Sequence, residues 1–417
     1  MFSRRLKTGY LVLEGLNSFA TVYYFYYLYF FMQRTHGFDN KANLALAAAN
    51  GASYALFAWW GGKFAQRFGY FTALKAGFLL MSAFLCLGAQ LHSAPGQIVA
   101  MLGTVFGMSF TWPTLEALVS EGEPRDGLQH MVGIYNVVWA ATASVANFIG
   151  GGLLDLLGAH SLFYVPMGVQ LLQFSLTLWL EAQAKRAKPG FAGPSAPVPD
   201  PSGGGLWAPV AAGGTAVALA PAEPLTRPTP PPRAKTFLRL AWLANPFAYV
   251  AINTLLAAFP GVAHRLGLST TLAGFCCSVW CFSRFGAFLA LWLWDGWHYR
   301  FRWLLLAYVF LVGSFATILL APNVAVLVTA QLVFGGAVGL IYYSSLFYSM
   351  DVGETKGEHG GIHEAVIGLG NFAGPAVGAA ALQFLPGYPH SGALAVSLLL
   401  LGGLAGLAAI WRSGKRP

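Results

Sequence analysis

Three long stretches of the chain contain no Lys, Arg, Asp or Glu: Ala76 to Leu115, Trp303 to Met350 and Ala365 to Trp411, which are 40, 48 and 47 residues long. One bilayer crossing takes about 20 apolar residues, so each stretch amounts to two crossings. Each also has turn chemistry at its midpoint, in His92-Ser93-Ala94-Pro95-Gly96, Ala321-Pro322-Asn323 and Pro386-Gly387-Tyr388-Pro389. Such runs exclude a soluble fold. Only 9% of the residues are charged, 56% are hydrophobic and the mean hydropathy is +0.59, whereas soluble domains carry roughly 25% charged residues. A soluble enzyme, a disordered chain and a disulfide scaffold are therefore set aside. The composition is that of a polytopic membrane protein, and runs this long and unbroken are helices, since barrel strands alternate over about ten residues.

Counting crossings along the whole chain predicts twelve transmembrane helices near residues 8–32, 42–62, 70–91, 97–120, 130–157, 161–181, 238–260, 268–294, 303–321, 324–350, 362–385 and 391–411. The first is too long for a cleaved leader and is expected to stay. With the amino terminus inside, twenty Lys and Arg fall on inner segments and three (Arg34, Lys41 and Arg265) on outer ones, which predicts two cytoplasmic termini in an inner (plasma) membrane. The net charge of +9 is then a matter of topology and anionic lipid. No nucleic-acid partner is needed to explain it.

Between Lys185 and Lys235 lie 12 of the 23 prolines. The expected domains are a six-helix bundle over 1–184, a disordered Pro-rich cytoplasmic linker over 185–236 and a second six-helix bundle over 237–417. The two halves match at a constant offset of 228 residues: Gly133-Ile134-Tyr135-Asn136 with Gly361-Ile362-His363-Glu364, and Ala146-Asn147-Phe148-Ile149-Gly150 with Gly374-Pro375-Ala376-Val377-Gly378. Spans 5 and 11 are thus expected to be repeats of one element.

On these features the chain resembles the major facilitator superfamily over nearly its whole length. Gly62-Lys63-Phe64-Ala65-Gln66-Arg67-Phe68-Gly69 is similar to the family's loop signature between spans 2 and 3, with Gln66 where the family usually has Asp. Gly374-Pro375-Ala376-Val377-Gly378 resembles the core of an antiporter motif that the family carries in span 5, whereas here it lies in span 11. Ordinary close helix packing is the competing reading of such glycines. The resemblance implies an all-α membrane protein of two pseudo-symmetric six-helix bundles, with spans 1, 4, 7 and 10 walling a central cavity and 2, 5, 8 and 11 beside it. It also implies a secondary transporter, not an enzyme, that moves a small solute by alternating access.

Ionisable groups inside spans are costly and point to function. Glu14 shares one helix face with Asn17, Ser18 and Thr21, at spacings of three, four and seven. A carboxyl so placed suits proton coupling, and the alternative is a structural tie between spans. His363-Glu364 opens span 11 and is a second proton-coupling candidate, although helix starts favour acidic residues in any case. Arg284, within span 8, is the only cation inside any span. It needs an anion from the protein or from a substrate. Asn17, Thr21, Trp112, Trp139, Asn253, Trp280, Tyr342 and Tyr343 are the other candidate substrate contacts. Tyr23, Tyr24, Tyr26, Tyr27 and Tyr29 crowd the outer half of span 1, where an interfacial belt accounts for many and the helix geometry turns some inward.

In the implied fold Glu116 faces the Lys63 and Arg67 loop, and Asp351 faces Arg300 and Arg302, as paired gates, with substrate binding as the competing reading. Asp155 is read as a solvated loop-edge charge, and Cys276, Cys277 and Cys281 as packing residues, not metal ligands. No phosphate loop, Gly-x-Ser-x-Gly or His pair at metal spacing is present in the sequence. The expected function is proton-coupled transport of an anionic or polar metabolite by a monomer that needs no cofactor. The alternative is a proton-driven exporter of drugs or amphipathic lipids. A transport-inactive sensor or a membrane-embedded enzyme is a remote third.

Overall fold

The structure, a computed structural model, describes residues 4–120, 125–187, 233–352 and 356–414. Among these residues the chain forms helices α1 (Arg4–His36), α2 (Asn40–Phe68), α3 (Tyr70–Gln90), α4 (Ala94–Met108), α5 (Trp112–Ser120), α6 (Arg125–Leu157), α7 (Ser161–Ala187), α8 (Ala234–Arg265), α9 (Thr270–Leu293), α10 (Phe301–Leu319), α11 (Val324–Val352), α12 (Lys356–Phe384) and α13 (Ser391–Ser413). These are the twelve expected spans, with the fourth divided into α4 and α5. Ten are long and apolar enough to cross a membrane. The chain is a multi-pass membrane protein.

The division of span 4 was not foreseen, and Pro113 accounts for it. A helical proline has no N–H to give and its ring collides with the carbonyl four residues earlier, here that of Ser109. The chain instead makes tight turns, with the Phe110 N–H on the Gly107 carbonyl at 3.2 Å and the Thr111 N–H on the Met108 carbonyl at 3.0 Å. The break also serves as an attachment point for α1, since the Asn17 Nδ2 reaches the Thr111 Oγ1 at 3.5 Å.

α1 and α2 are the two spans outside the ten most apolar. α1 lies against α6, α7, α5 and α8, so most of its surface meets protein and need not suit lipid. Its tyrosines therefore do not form an interfacial belt, contrary to expectation: Tyr23, Tyr24, Tyr27 and Tyr29 are buried and Tyr26 is half-buried. Tyr23 shares a 2.8 Å hydrogen bond with Ser161, and Tyr27 donates to the Asn147 carbonyl. Indoles form the exposed aromatic band. Trp59, Trp60, Trp179, Trp242 and Trp294 all sit in the part of their helices toward the face that holds the chain termini, called here the near face.

The two halves, α1–α7 and α8–α13, meet mainly along two pairings, α2 with α12 and α6 with α9. These pairings are equivalent under the 228-residue repeat, and both are built on small residues. A Cβ on Gly51 would strike the backbone of Asn371 and Phe372, one on Gly368 that of Ala55, and one on Gly151 that of Thr270. Backbones that approach so closely gain dispersion contact without polar bonds that would have to break for the halves to move. Gly374 packs against the Val250 carbonyl and Thr254 of α8. The Gly-Pro segment thus serves close helix contact within the second half.

The expected linker is shorter at both ends than composition implies. α7 continues to Ala187 and α8 begins at Ala234. Glu181 explains the first extension, because it bridges Lys185 one turn on at 2.8 Å and Lys75 of α3 at 2.8 Å. Residues 188–232 lie outside the described residues.

Asp155 differs most from its sequence reading. It is exposed, as an edge charge should be, but it is not idle: its carboxylate accepts from Arg34 at 3.0 Å and from the Thr271 N–H and Oγ1 at 2.9 and 2.8 Å. Thr271 lies in the first turn of α9, where free N–H groups and the helix dipole attract an anion. One side chain thus joins α1, α6 and α9 across the halves on the far face. Nearby, Lys41 reaches Gln383 at 3.1 Å and Phe30 meets Phe259 at 6.4 Å between ring centroids. We expect Asp155→Ala to weaken far-face closure by about 1–2 kcal/mol, roughly a 5- to 30-fold change in the open to closed ratio. Spin labels at Leu157 and Leu272 should then show a new, longer distance population. An unchanged distribution would mean that the contact carries no weight in closure.

Candidate functional site

The site is organised by α9. Ser269 starts the helix by accepting the Leu272 N–H at 3.2 Å, and Trp280, Arg284 and Phe288 then recur at one-turn intervals on a single face. Trp280 and Phe288 are fully buried, and Arg284 is 4% exposed. The guanidinium carbon lies 4.6 Å from the Trp280 ring centroid and 4.4 Å from that of Trp139. Trp139 comes from α6, in the other half. The cation is therefore held by aromatic faces from both bundles, an arrangement worth about 2 kcal/mol or more per ring when desolvated.

Among the described residues Arg284 makes no ion pair, and its Nε has no hydrogen-bond partner. The Trp280 Nε1 reaches no acceptor but the Cys277 thiol of its own helix. A guanidinium removed from water without an anion is costly, and two rings compensate only part of that cost. The local structure fixes the rings firmly. The Trp139 Nε1 donates to the Asn136 Oδ1 at 3.0 Å, and the Trp139 ring meets Tyr342 at 5.7 Å, Phe288 at 5.9 Å and Trp112 at 6.4 Å. Tyr26 of α1 stacks on Trp280 at 6.4 Å. Tyr249 of α8 meets Tyr342 at 6.4 Å.

Of the residues expected from sequence to touch substrate, the structure gathers Arg284, Trp139, Trp280, Trp112 and Tyr342 into this one cluster. Tyr343 stands at its edge, 5.9 Å from Phe288 and 5.7 Å from Trp297. Asn253 is half-buried and its Nδ2 donates to the Asn371 Oδ1, a bond between α8 and α12 within the second half. Asn17 and Thr21 are buried elsewhere. Asn17 is turned to the α4–α5 break, and the Thr21 hydroxyl donates to the Asn17 carbonyl at 2.7 Å.

Glu14 is fully buried and accepts from the Ser18 Oγ at 3.1 Å. It lies in the first half, with the neighbouring Gly15 packed toward Val138 and Thr142 of α6. The polar stripe of α1 thus faces protein, as its spacing requires. The side chains of His363, Glu364 and Asp351 lie outside the described residues. On the near face Lys63 and Arg67 are exposed, with Lys63 over Trp59 at 3.5 Å and Arg67 beside Phe68 at 5.3 Å. Neither forms an ion pair with the half-buried Glu116 among the described residues. Arg300 and Arg302 are exposed at the start of α10, Arg302 lying 5.4 Å from the Trp303 ring. Lys7, one of the twenty cations that the sequence assigns to inner segments, is buried and caps α5, donating to the Val119 carbonyl at 2.6 Å.

Sequence reasoning missed Phe288 and Tyr249. Both were within reach, since Phe288 stands four residues after Arg284 and Tyr249 four before Asn253, so each shares a helix face with a residue already chosen. It also missed Asn147 and Asn371, whose partners lie far away in the chain. The Asn147 Nδ2 contacts the Cys281 Sγ at 3.5 Å, from α6 to α9.

Known proteins agree with this architecture. A point mutant of the nucleoside transporter NupG is 13% identical, with a TM-score of 0.67 over 99% of this chain and 100% of that one. Two structures of a peptide transporter POT mutant are 15% and 17% identical, the second in complex with sulfate, with TM-scores of 0.68 and 0.69 over 98% of this chain and 94% of that one. At these identities the likeness is one of fold. No curated protein matches the chain significantly. The sequence profile described as Major Facilitator Superfamily matches residues 11–375, from α1 into α12 and across the Arg284 cluster, and the chain belongs to that superfamily.

Proposed function

We propose that this chain is a proton-coupled secondary transporter that carries a small organic anion by alternating access. The single observation behind the choice of substrate charge is Arg284, a buried cation with aromatic contacts to both halves and no carboxylate in ion-pair range among the described residues. A substrate anion supplies the missing charge, and because Trp139 and Trp280 belong to different halves, its arrival is felt by both. The near face is assigned to the cytoplasm on the Lys and Arg bias, in an inner membrane, with the protein working as a monomer. Glu14 is the coupling carboxylate in this reading. His363 and Glu364 are secondary candidates, and the charges Lys63, Arg67, Glu116, Arg300, Arg302 and Asp351 form gates that pair in another state of the cycle. An exporter of amphipathic drugs or lipids is the second reading, favoured by the aromatic lining of the same cluster.

The substrate assignment is tested on Arg284. Arg284→Lys keeps the charge and loses the planar fork, so affinity should fall about tenfold or more with the fold intact. Arg284→Ala should abolish binding yet leave the melting temperature within a few degrees of the parent, because no buried carboxylate is stranded. An early-melting Ala variant would instead reveal a hidden structural partner, which typically costs about 3–5 kcal/mol to orphan.

Coupling is tested on Glu14. Glu14→Gln should abolish accumulation driven by a pH gradient while solute counterflow in liposomes continues. Loss of both together would make Glu14 a structural or substrate-binding residue. The Pro-rich connection is proposed to be a passive tether. Replacing residues 190–230 with about 15 flexible residues should therefore leave flux intact in a folded, inserted variant, and loss of flux would give the segment an active role.

A further inference from the structure

The rings around Arg284 come from five helices and close on one another. Tyr26 of α1 stacks on Trp280 of α9, Trp139 of α6 meets Tyr342 of α11, and Tyr342 meets Tyr249 of α8. The two sets of rings meet at Arg284, whose guanidinium lies over both Trp139 and Trp280. The charge amid these rings is, among the described residues, a single cation. Among the described residues the buried charged side chains are Lys7, Glu14 and Arg284. Lys7 is engaged at the near end of α5 and Glu14 within the first half, so Arg284 is the one such group in the second half.

Resting on the reading of Arg284 as an anion site, we propose that the substrate is a monocarboxylate with an aromatic ring. The charge count comes first. A monoanion brings the box to neutrality, whereas a dianion leaves one negative charge stranded in a low-dielectric enclosure, at the cost that attends any unpaired buried ion. The donor geometry selects a carboxylate. The Arg284 Nε–H is an unused, buried donor, and with a neighbouring terminal N–H it forms the planar pair that a carboxylate accepts in bidentate fashion.

The ring is required by how the halves meet. Trp139 contacts Phe288 and Tyr342, and Tyr26 contacts Trp280. Every one of these contacts joins the first half to the second, so alternating access must separate them. A substrate ring inserted between the parted faces restores aromatic contact, about 0.5–1.5 kcal/mol for each pair. Acetate restores none.

The test is equilibrium binding to the full-length purified protein, read from tryptophan fluorescence and checked by thermal shift, with four probes of matched shape. Phenylacetate carries ring and single charge, acetate the charge alone, phenylmalonate the ring with two charges, and phenylacetamide the ring without charge. Phenylacetate should bind about tenfold or more tightly than each of the others, and Arg284→Gln should erase that preference. Trp139→Leu should lower the ratio of phenylacetate to acetate affinity, and Trp139→Phe, which keeps a ring, should preserve it. Acetate or phenylmalonate binding as tightly as phenylacetate, still dependent on Arg284, overturns the aromatic monocarboxylate and leaves the anion site standing. Phenylacetamide matching phenylacetate, or no saturable phenylacetate binding, overturns the proposal. If in addition no anion responds to Arg284→Gln, the anion reading falls with it.

Discussion

A solvent that cannot hydrogen-bond governs this molecule. In the hydrocarbon of a bilayer an unsatisfied N–H or C=O costs several kcal/mol, so backbone polar groups must be paired within the segment itself. Side-chain hydroxyls follow the same demand. Ser82, Thr104, Ser144, Thr177, Thr254 and Thr329 each donate to the carbonyl four residues earlier in their own helix, at 2.6–2.9 Å. A hydroxyl satisfied in this way does not depend on a neighbouring helix, which leaves the spans free to slide and tilt past one another.

The same demand shapes the join between the halves. If many polar bonds crossed it, each would have to be broken and replaced at every turnover. The two principal pairings instead rely on glycine-lined approaches at Gly51, Gly368 and Gly151, and the strong polar contacts are displaced to the far rim, where Asp155 reaches Thr271 and Lys41 reaches Gln383. Rim contacts can exchange partners with water as they open, so their breaking is partly compensated. A smooth centre with a polar rim is the division that a rocking interface requires, and it is repeated on both sides of the molecule by the internal duplication.

Against this background Arg284 stands out as the group that the protein does not itself neutralise within the described residues. Aromatic faces supply part of what water would have given it, and they do so from both bundles at once. The arrangement places the strongest unmet electrostatic demand at the point where the halves must separate. In the proposed function, substrate charge and conformational change act on the same few side chains, so binding energy can be spent on shifting the balance between states.

Much of this was legible in the sequence for a physical reason. Lipid imposes a one-dimensional rule, a run of apolar residues about as long as the bilayer is thick, so the charge-free stretches fixed the number and order of the spans and the repeat of 228 residues fixed their pairing into halves. Arg284 and Glu14 stood out because a charge in such a run is rare and costly. Features that depend on proximity between distant residues were not legible. Sequence alone did not show that the tyrosines of α1 would all turn inward, that Asp155 would cap a helix of the other half, or that Lys7 would be drawn in to cap α5. Nor could it show that Trp139 would lie over Arg284 and Tyr26 against Trp280, since their separation along the chain says nothing of which helix faces meet. Periodicity decides which residues share a face, and only the packing of twelve spans against one another decides what that face sees.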